Sequence, residues 1–391
     1  MAGGQLAEPD LKLIREVRKT GGDSVKKCFQ CATCSTVCNL SPADNPFPRK
    51  EMIWAQWGQT DRLAADPDLW LCHQCNDCST YCPRGARPGD VLAALRTYIY
   101  GHYAIPSFMG KALARPAALP ILFLVPVVLL LASILLFAPT TPDGGFQFMQ
   151  SDQPIDFNLF LPHSAVDGLF VFGNILIFIF AGVGLSRFWK ALQGDGEVKL
   201  SFISGLVLML KEFLGHGMFR KCEANRPRAT GHMLLFFGFL GAMITTGCVF
   251  IFIFVPHYLQ LLGVESLSPF FELPIEFPHP VKILGGLSGL ALIIGGGMLL
   301  WRRWSNSDGV GANGYADHLF LYILSLVGLT GMLSWLTRLT EVAMLAYVNY
   351  FIHLVFVYVL LWYMPYSKFA HMIYRTLALT HAKQIGRAAR S

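Results

Sequence analysis

Charge is what this sequence most lacks. Asp, Glu, Lys and Arg make up only 14% of it, against 53% hydrophobic residues and a mean hydropathy of +0.46. So little charge excludes an ordinary soluble globule over the whole length. The shortage is confined to one part: residues 1–115 are polar and mixed, and apolar runs dominate from Pro116 onward. Met1 to Thr20 holds no apolar core segment, which excludes a secretory signal there and leads us to expect the N-terminal part in the cytoplasm. Lys and Arg are missing altogether from 139–164 and from 256–280. Inside the apolar runs carboxylates are missing too, apart from Asp167, Asp317 and Glu341 at or near their ends. That argues against a transporter or channel, whose substrate path needs buried carboxylates or broken helices.

Cysteine is scarce except in two runs, which hold eight of the ten. They read Cys28-x2-Cys31-x2-Cys34-x3-Cys38 and Cys72-x2-Cys75-x2-Cys78-x3-Cys82-Pro83. Each is the bacterial ferredoxin pattern for a [4Fe–4S] cluster. Three thiolates at x2 spacing wrap three corners of one cubane, and the fourth reaches the other cubane. The spacing therefore pairs Cys28, Cys31 and Cys34 with Cys82, and Cys72, Cys75 and Cys78 with Cys38. Structural zinc uses two ligand pairs separated by a longer gap, which two four-cysteine runs do not match. Disulfides would need an oxidising compartment and give no reason for the repeat. Asn39 follows Cys38 where the pattern has proline. Cys222 and Cys248 stand alone.

Within the N-terminal part, helices are expected over Asp10–Lys19, Pro48–Asp61 and Val91–Tyr100, with a linker over 101–115. Six apolar spans follow, roughly 117–138, 165–188, 231–255, 281–301, 317–337 and 341–364. Each is long enough to cross ~30 Å of hydrocarbon. The second-to-third connection is rich in Lys and Arg; Arg302 and Arg303 follow the fourth span, and Lys368, Arg375, Lys383, Arg387 and Arg390 follow the sixth. By the positive-inside rule both termini face the cytoplasm, and an even span count agrees. The formal net charge of +6 is thus read as topology rather than nucleic-acid binding. Leu200–Phe219, broken by Lys211, Glu212 and His216, is expected as a helix on the cytoplasmic surface. Gly285, Gly289 and Gly295–Gly297 are expected to let helices approach closely.

The fold class expected is mainly α: a bis-[4Fe–4S] ferredoxin-type module over 1–115, a six-helix membrane bundle over 116–375, and a tail over 376–391. Histidines give that bundle its chemistry. His353 and His371 lie 18 residues apart. On one continuous helix that is five turns, one face and ~27 Å, a spacing suited to two b haems. His232 opens the third span at the depth of His371, and we expect the two to share one haem. His353 has no clear partner: its haem is either five-coordinate or uses a ligand the sequence does not place. His216 either touches a haem propionate or quinone, or caps its helix.

The segment from His353 through Pro365-Tyr366-Ser367-Lys368-Phe369-Ala370 to His371 resembles the last helix of the cytochrome b subunit of respiratory nitrate reductase. That resemblance implies one ligand from this helix to each of two haems, and it also favours His232. The family's other ligand falls near Ala242 here. From about 25 to 375 the chain resembles the membrane cytochrome of the quinone-modifying oxidoreductase (Qmo) complex of sulfate-reducing bacteria, the QmoC family, in which a heterodisulfide-reductase-C-like module is fused to a cytochrome b. The resemblance implies menaquinone in the inner membrane, two soluble flavin/iron–sulfur subunits, and adenylylsulfate reductase as the eventual redox partner. The function expected is electron transfer between menaquinone and those soluble partners. The alternative is the same role in another heterodisulfide-reductase-like quinone oxidoreductase. A complete heterodisulfide-type reductase would need adjacent cysteines, and no Cys-Cys pair occurs.

Overall fold

The computed structural model describes residues 8–42, 45–150, 155–194, 197–215, 226–263, 270, 274–305 and 314–387. Among the described residues the chain is helical, with no strand and one isolated bridge between Thr140 and Phe146. Six helices are long and apolar enough to cross a membrane: Pro116–Phe137, His163–Leu192, Arg228–Leu261, Pro280–Ser305, Tyr315–Arg338 and Ala343–Trp362. They fall where the apolar runs place them. Spans three to five pack closely through small residues. A Cβ on Gly295 would lie 2.6 Å from the backbone N of Leu235, and one on Gly289 would lie 2.5 Å from Sδ of Met332.

The N-terminal module is built on the helix Pro88–Tyr103. Pro88 fits a first helical turn because its missing N–H would have had no partner there. Val91, Leu92, Leu95 and Ile99 recur at helical spacing and are fully buried. Against them pack Leu13, Val17, Met52, Leu63, Leu69 and Trp70. Beneath lies a buried ion cluster. Lys50 Nζ is 2.7 Å from Glu51, 2.7 Å from Asp66 and 2.6 Å from Asp68. Its ammonium stands where the three carboxylates would otherwise hold a cation, and Arg387 adds a second positive group against Asp68.

Three expectations are corrected. The stretch 101–115 is not a bare linker: Pro88–Tyr103 runs into it and Ser107–Leu113 is helical. His353 and His371 do not share one continuous helix. The sixth span ends at Trp362, a 3-10 turn spans Met364–Tyr366, and a new helix runs Phe369–Gln384. Pro365 has no N–H to continue the ladder, and it biases the residue before it away from helix. The turn is tethered instead by Tyr363 and Tyr366, whose hydroxyls donate to the carbonyls of Leu122 and Ile105 at 2.8 and 2.7 Å. The five-turn, one-face argument for stacked haems therefore does not hold.

The third correction concerns residues 376–384, which lie in a packed helix rather than in a tail. This closing helix, Phe369–Gln384, lies against the amphipathic helix Phe202–Gly215, the end of the second span and the N-terminal module. Lys199 and Leu200 donate backbone N–H groups to the carbonyl of Gln384 at 2.9 and 3.1 Å. One hydrophobic core therefore runs across both parts: Trp70, Tyr103, Phe188, Ala370, Tyr374 and Ala378 belong to the cluster that holds Leu92 and Leu95. Each fully buried large side chain in it contributes about 1.5–3 kcal/mol, so the two parts are held as one body.

Candidate functional site

The two cysteine loops share one backbone. Gln30 and Ala32 in the first, and Gln74 and Asn76 in the second, have positive φ, between 52° and 68°. Left-handed backbone at non-glycine residues costs roughly 1–2 kcal/mol each. It turns the chain so that successive cysteines face one centre. The N–H of Gln30 donates to Cys28 Sγ and that of Gln74 to Cys72 Sγ, both at 3.4 Å; Ala86 N–H donates to Cys82 Sγ at 3.3 Å. Such donors favour thiolate.

Thiol neighbours fall into two sets. Cys28 lies near Cys82 and Cys31, and Cys34 near Cys28 and Cys31. Cys38 lies near Cys72 and Cys75; Cys78 feels Cys72, Cys75 and Cys38 most, and Cys34 of the first set least. A small cavity of about 20 Å³ is lined by Cys38, Cys72, Cys75 and Cys78 together with Leu40, Phe47 and Leu92. Burial pushes Cys34 up to about 11 and Cys38 up to about 12, and raises Cys28 and Cys78 as well. Exposed Cys31 is lowered, chiefly by the Thr33 hydroxyl. Buried thiols of this kind ionise only against a cationic centre. The donor set, its spacing and its enclosure fit iron–sulfur clusters.

A larger cavity of about 280 Å³ lies where the module meets the bundle. His232 of the third span and His371 of the closing helix both line it, and so do Cys72 and His73 of the second loop. Its apolar wall includes Phe213, Phe236, Phe239, Phe320 and Phe369. Its polar wall is strongly basic: Arg96, Arg228, Arg302, Arg303, Lys368 and Arg375 against Glu212 and Asp317. Lys368 pairs with Asp317. Burial first, then Arg96 and Arg375, holds His371 well below the ordinary histidine range, so its imidazole is neutral at pH 7. Neutral imidazole is the form that ligates a metal. Trp70 stacks on the His371 ring at 5.6 Å between centroids and on Tyr374 at 5.4 Å. Two imidazoles, an aromatic wall and a basic rim for two carboxylates are what haem b needs.

His353 lies apart. It does not line this cavity; its Nδ1 sits 3.0 Å from the Thr330 hydroxyl, and its ring packs against Gly331. Ala242 packs in the apolar core of the bundle. His216 and Cys222 fall outside the described residues. His73, Trp70, Arg228 and Arg375 were not expected from sequence. The one available signal was His73 itself, a titratable side chain inside a cluster loop where the first loop has Phe29.

Residues 24–86 match a family model described as a 4Fe-4S dicluster domain, and residues 112–391 match one described as Citrate utilization protein B. The chain belongs to the citrate utilization protein B family. Citrate utilization protein B of Escherichia coli is 27% identical over 387 residues, 95% of this chain and 93% of that protein. A heterodisulfide reductase C-like protein of Archaeoglobus profundus is 31% identical over 114 residues, 29% of this chain and 61% of the relative. The C component of the H(2):CoB-CoM heterodisulfide,ferredoxin reductase of Methanothermobacter marburgensis is 35% identical over 110 residues, 26% of this chain and 59% of the relative. The chain thus spans about three fifths of the length of these two relatives. No solved structure matches it. The N-terminal part is a heterodisulfide-reductase-C-like iron–sulfur electron-transfer module.

Proposed function

We propose that the chain is the membrane electron-transfer subunit of a quinone-interacting oxidoreductase complex. It would link menaquinone in the inner membrane to soluble flavin/iron–sulfur partners. The observation that carries this reading is the single cavity walled by Cys72 of a cluster loop, His232 of a membrane span and His371 of the closing helix. When bound, haem b and two [4Fe–4S] clusters supply one-electron chemistry.

The chain's own residues hold and shield these groups. Cys28, Cys31, Cys34 and Cys82 hold one cluster, and Cys38, Cys72, Cys75 and Cys78 the other; the two sets of thiol neighbours support that division. His232 and His371 would hold a haem in the cavity, whose basic wall includes Arg302 and Arg303. Trp70 fixes the His371 ring from the module side. His353 would hold a second haem, its Nδ1 oriented by Thr330 as ligating histidines commonly are. Both termini and the iron–sulfur module face the cytoplasm in this reading.

The resemblance to the Qmo complex makes adenylylsulfate reductase the eventual partner. One observation favours a second reading. The likeness to a citrate utilization protein covers 95% of the chain, so the soluble partner would be an enzyme of citrate utilisation, with the same electron path. The proteins that co-purify in mild detergent separate the two. The shared core of both readings is tested by the optical spectrum of the purified full-length protein. His371→Ala and His232→Ala each lose the same haem, and His353→Ala spares it. Full haem content in both of the first two variants sinks the proposal.

A further inference from the structure

The two cluster loops are gripped by different parts of the molecule. In the first, Arg49 of the module itself donates from Nε to the carbonyl of Gln30 at 3.0 Å. In the second, both cations come from the membrane part. Arg375 of the closing helix donates from Nη1 to the carbonyl of Cys72 at 3.3 Å, and its Nη2 lies 3.1 Å from the ring nitrogens of His73. Arg228, at the start of the third span, donates from Nη1 to the carbonyl of His73 at 3.2 Å. Both guanidinium charges also act on Cys72. A guanidinium is a rigid planar fork that is charged at every working pH. Two of them on adjacent carbonyls fix both the position of Cys72 and the field at its sulfur.

We propose that Arg228 and Arg375 are positioning residues through which the membrane part sets the redox potential of the cluster held by Cys72. This rests on the ligation set out above and deepens it. Reduction adds a negative charge to a cluster, so a nearby fixed cation favours the reduced form. Hydrogen bonds and charge around the sulfurs are established determinants of cluster potential. Arg96 of the module also lines the cavity, but it donates to the carbonyl of Leu69, so the two arginines bonded to the Cys72 and His73 carbonyls both come from the membrane part.

The test is a redox titration of the purified full-length protein, followed by low-temperature paramagnetic resonance. At the potential where that cluster is half reduced in the parent, Arg375→Gln should lower its reduced-to-oxidised ratio roughly tenfold, as expected for one charge removed at close range. Arg228→Gln should shift the same signal in the same direction. The other cluster should stay in place in both. Arg375→Lys keeps the charge without the fork and should recover most of the shift. Arg49→Gln should move only the first cluster. Haem content and both cluster signals, measured on each sample, separate this proposal from the ligation reading: missing cofactors count against the latter. Intact cofactors with unmoved potentials in Arg375→Gln and Arg228→Gln overturn the clamp. So does an equal shift of both clusters, which a general loosening of the module would give.

Discussion

The two cysteine loops carry the same spacing and the same left-handed backbone, yet they face opposite surroundings. In the first loop the residue after the leading cysteine is Phe29, 67% exposed, with Arg84 over its ring at 4.0 Å; Cys31 is exposed beside it. In the second loop the equivalent residue is His73, turned into the junction cavity, and Cys78 is buried. Two residues upstream, Lys26 points to solvent while Trp70 is fully buried under His371 and Tyr374. One motif has thus been used twice, once as an outward-facing end and once as an inward-facing one. The side chains between and before the cysteines make the difference.

The largest way to break this contrast is Cys38→Ser. Cys38 belongs by sequence to the first run but lies among the thiols of the second. Its loss should remove the second-loop cluster while the signal of the Cys28–Cys34 cluster survives; loss of the first-loop cluster instead would reverse the pairing. Next comes Trp70→Ala, which should destabilise the protein by about 3–5 kcal/mol, as large buried aromatics do, and should loosen haem binding as well. Lys26→Ala, its counterpart, should leave the melt almost unchanged because its ion pair with Asp23 is solvent-exposed. Thermal melting with haem absorbance as the probe reads both.

Exchanging the paired residues gives a smaller effect. His73→Phe copies the first loop into the second and deprives Arg375 of its ring contact; binding of haem in the junction cavity it lines should weaken. Phe29→His should leave it unchanged. Haem titration into cofactor-depleted protein measures both.

The smallest effect concerns pH and the ion cluster just upstream of the second loop. Burial, then Asp66, raises Asp68 to about 6 from an ordinary 3.8. A carboxylate raised in the folded state binds protons more tightly there than when unfolded. Its contribution is therefore present below about pH 4 and lost as pH rises through about 6. From pH 7 to pH 5 the parent should gain about 1 kcal/mol from this group. Asp68→Asn should abolish that part of the slope in paired melts.

The cysteine spacing made both loops legible because ligand geometry is local. The spans were legible because twenty apolar residues have one use. His232 and His371 were matched by depth, with the cytochrome resemblance favouring His232 as well, and both line one cavity. What sequence did not show came from long-range packing. Nothing in the pattern around Tyr374 or Arg375 says that this helix docks on Trp70 and His73 from about 300 residues upstream, since helical periodicity marks an apolar face but not its partner. The break after Trp362 was legible in Pro365, but the histidine spacing favoured a continuous helix.

The central claim is that the second-loop cluster, and not the first, borders the junction cavity proposed to hold haem. The most direct test is paramagnetic relaxation of each reduced cluster in the full-length protein with oxidised haem bound. The account predicts faster relaxation for the cluster that Cys38→Ser removes, little change for the other, and loss of the effect in His371→Ala. Equal enhancement of both clusters, or enhancement of the Cys28–Cys34 cluster alone, would contradict it.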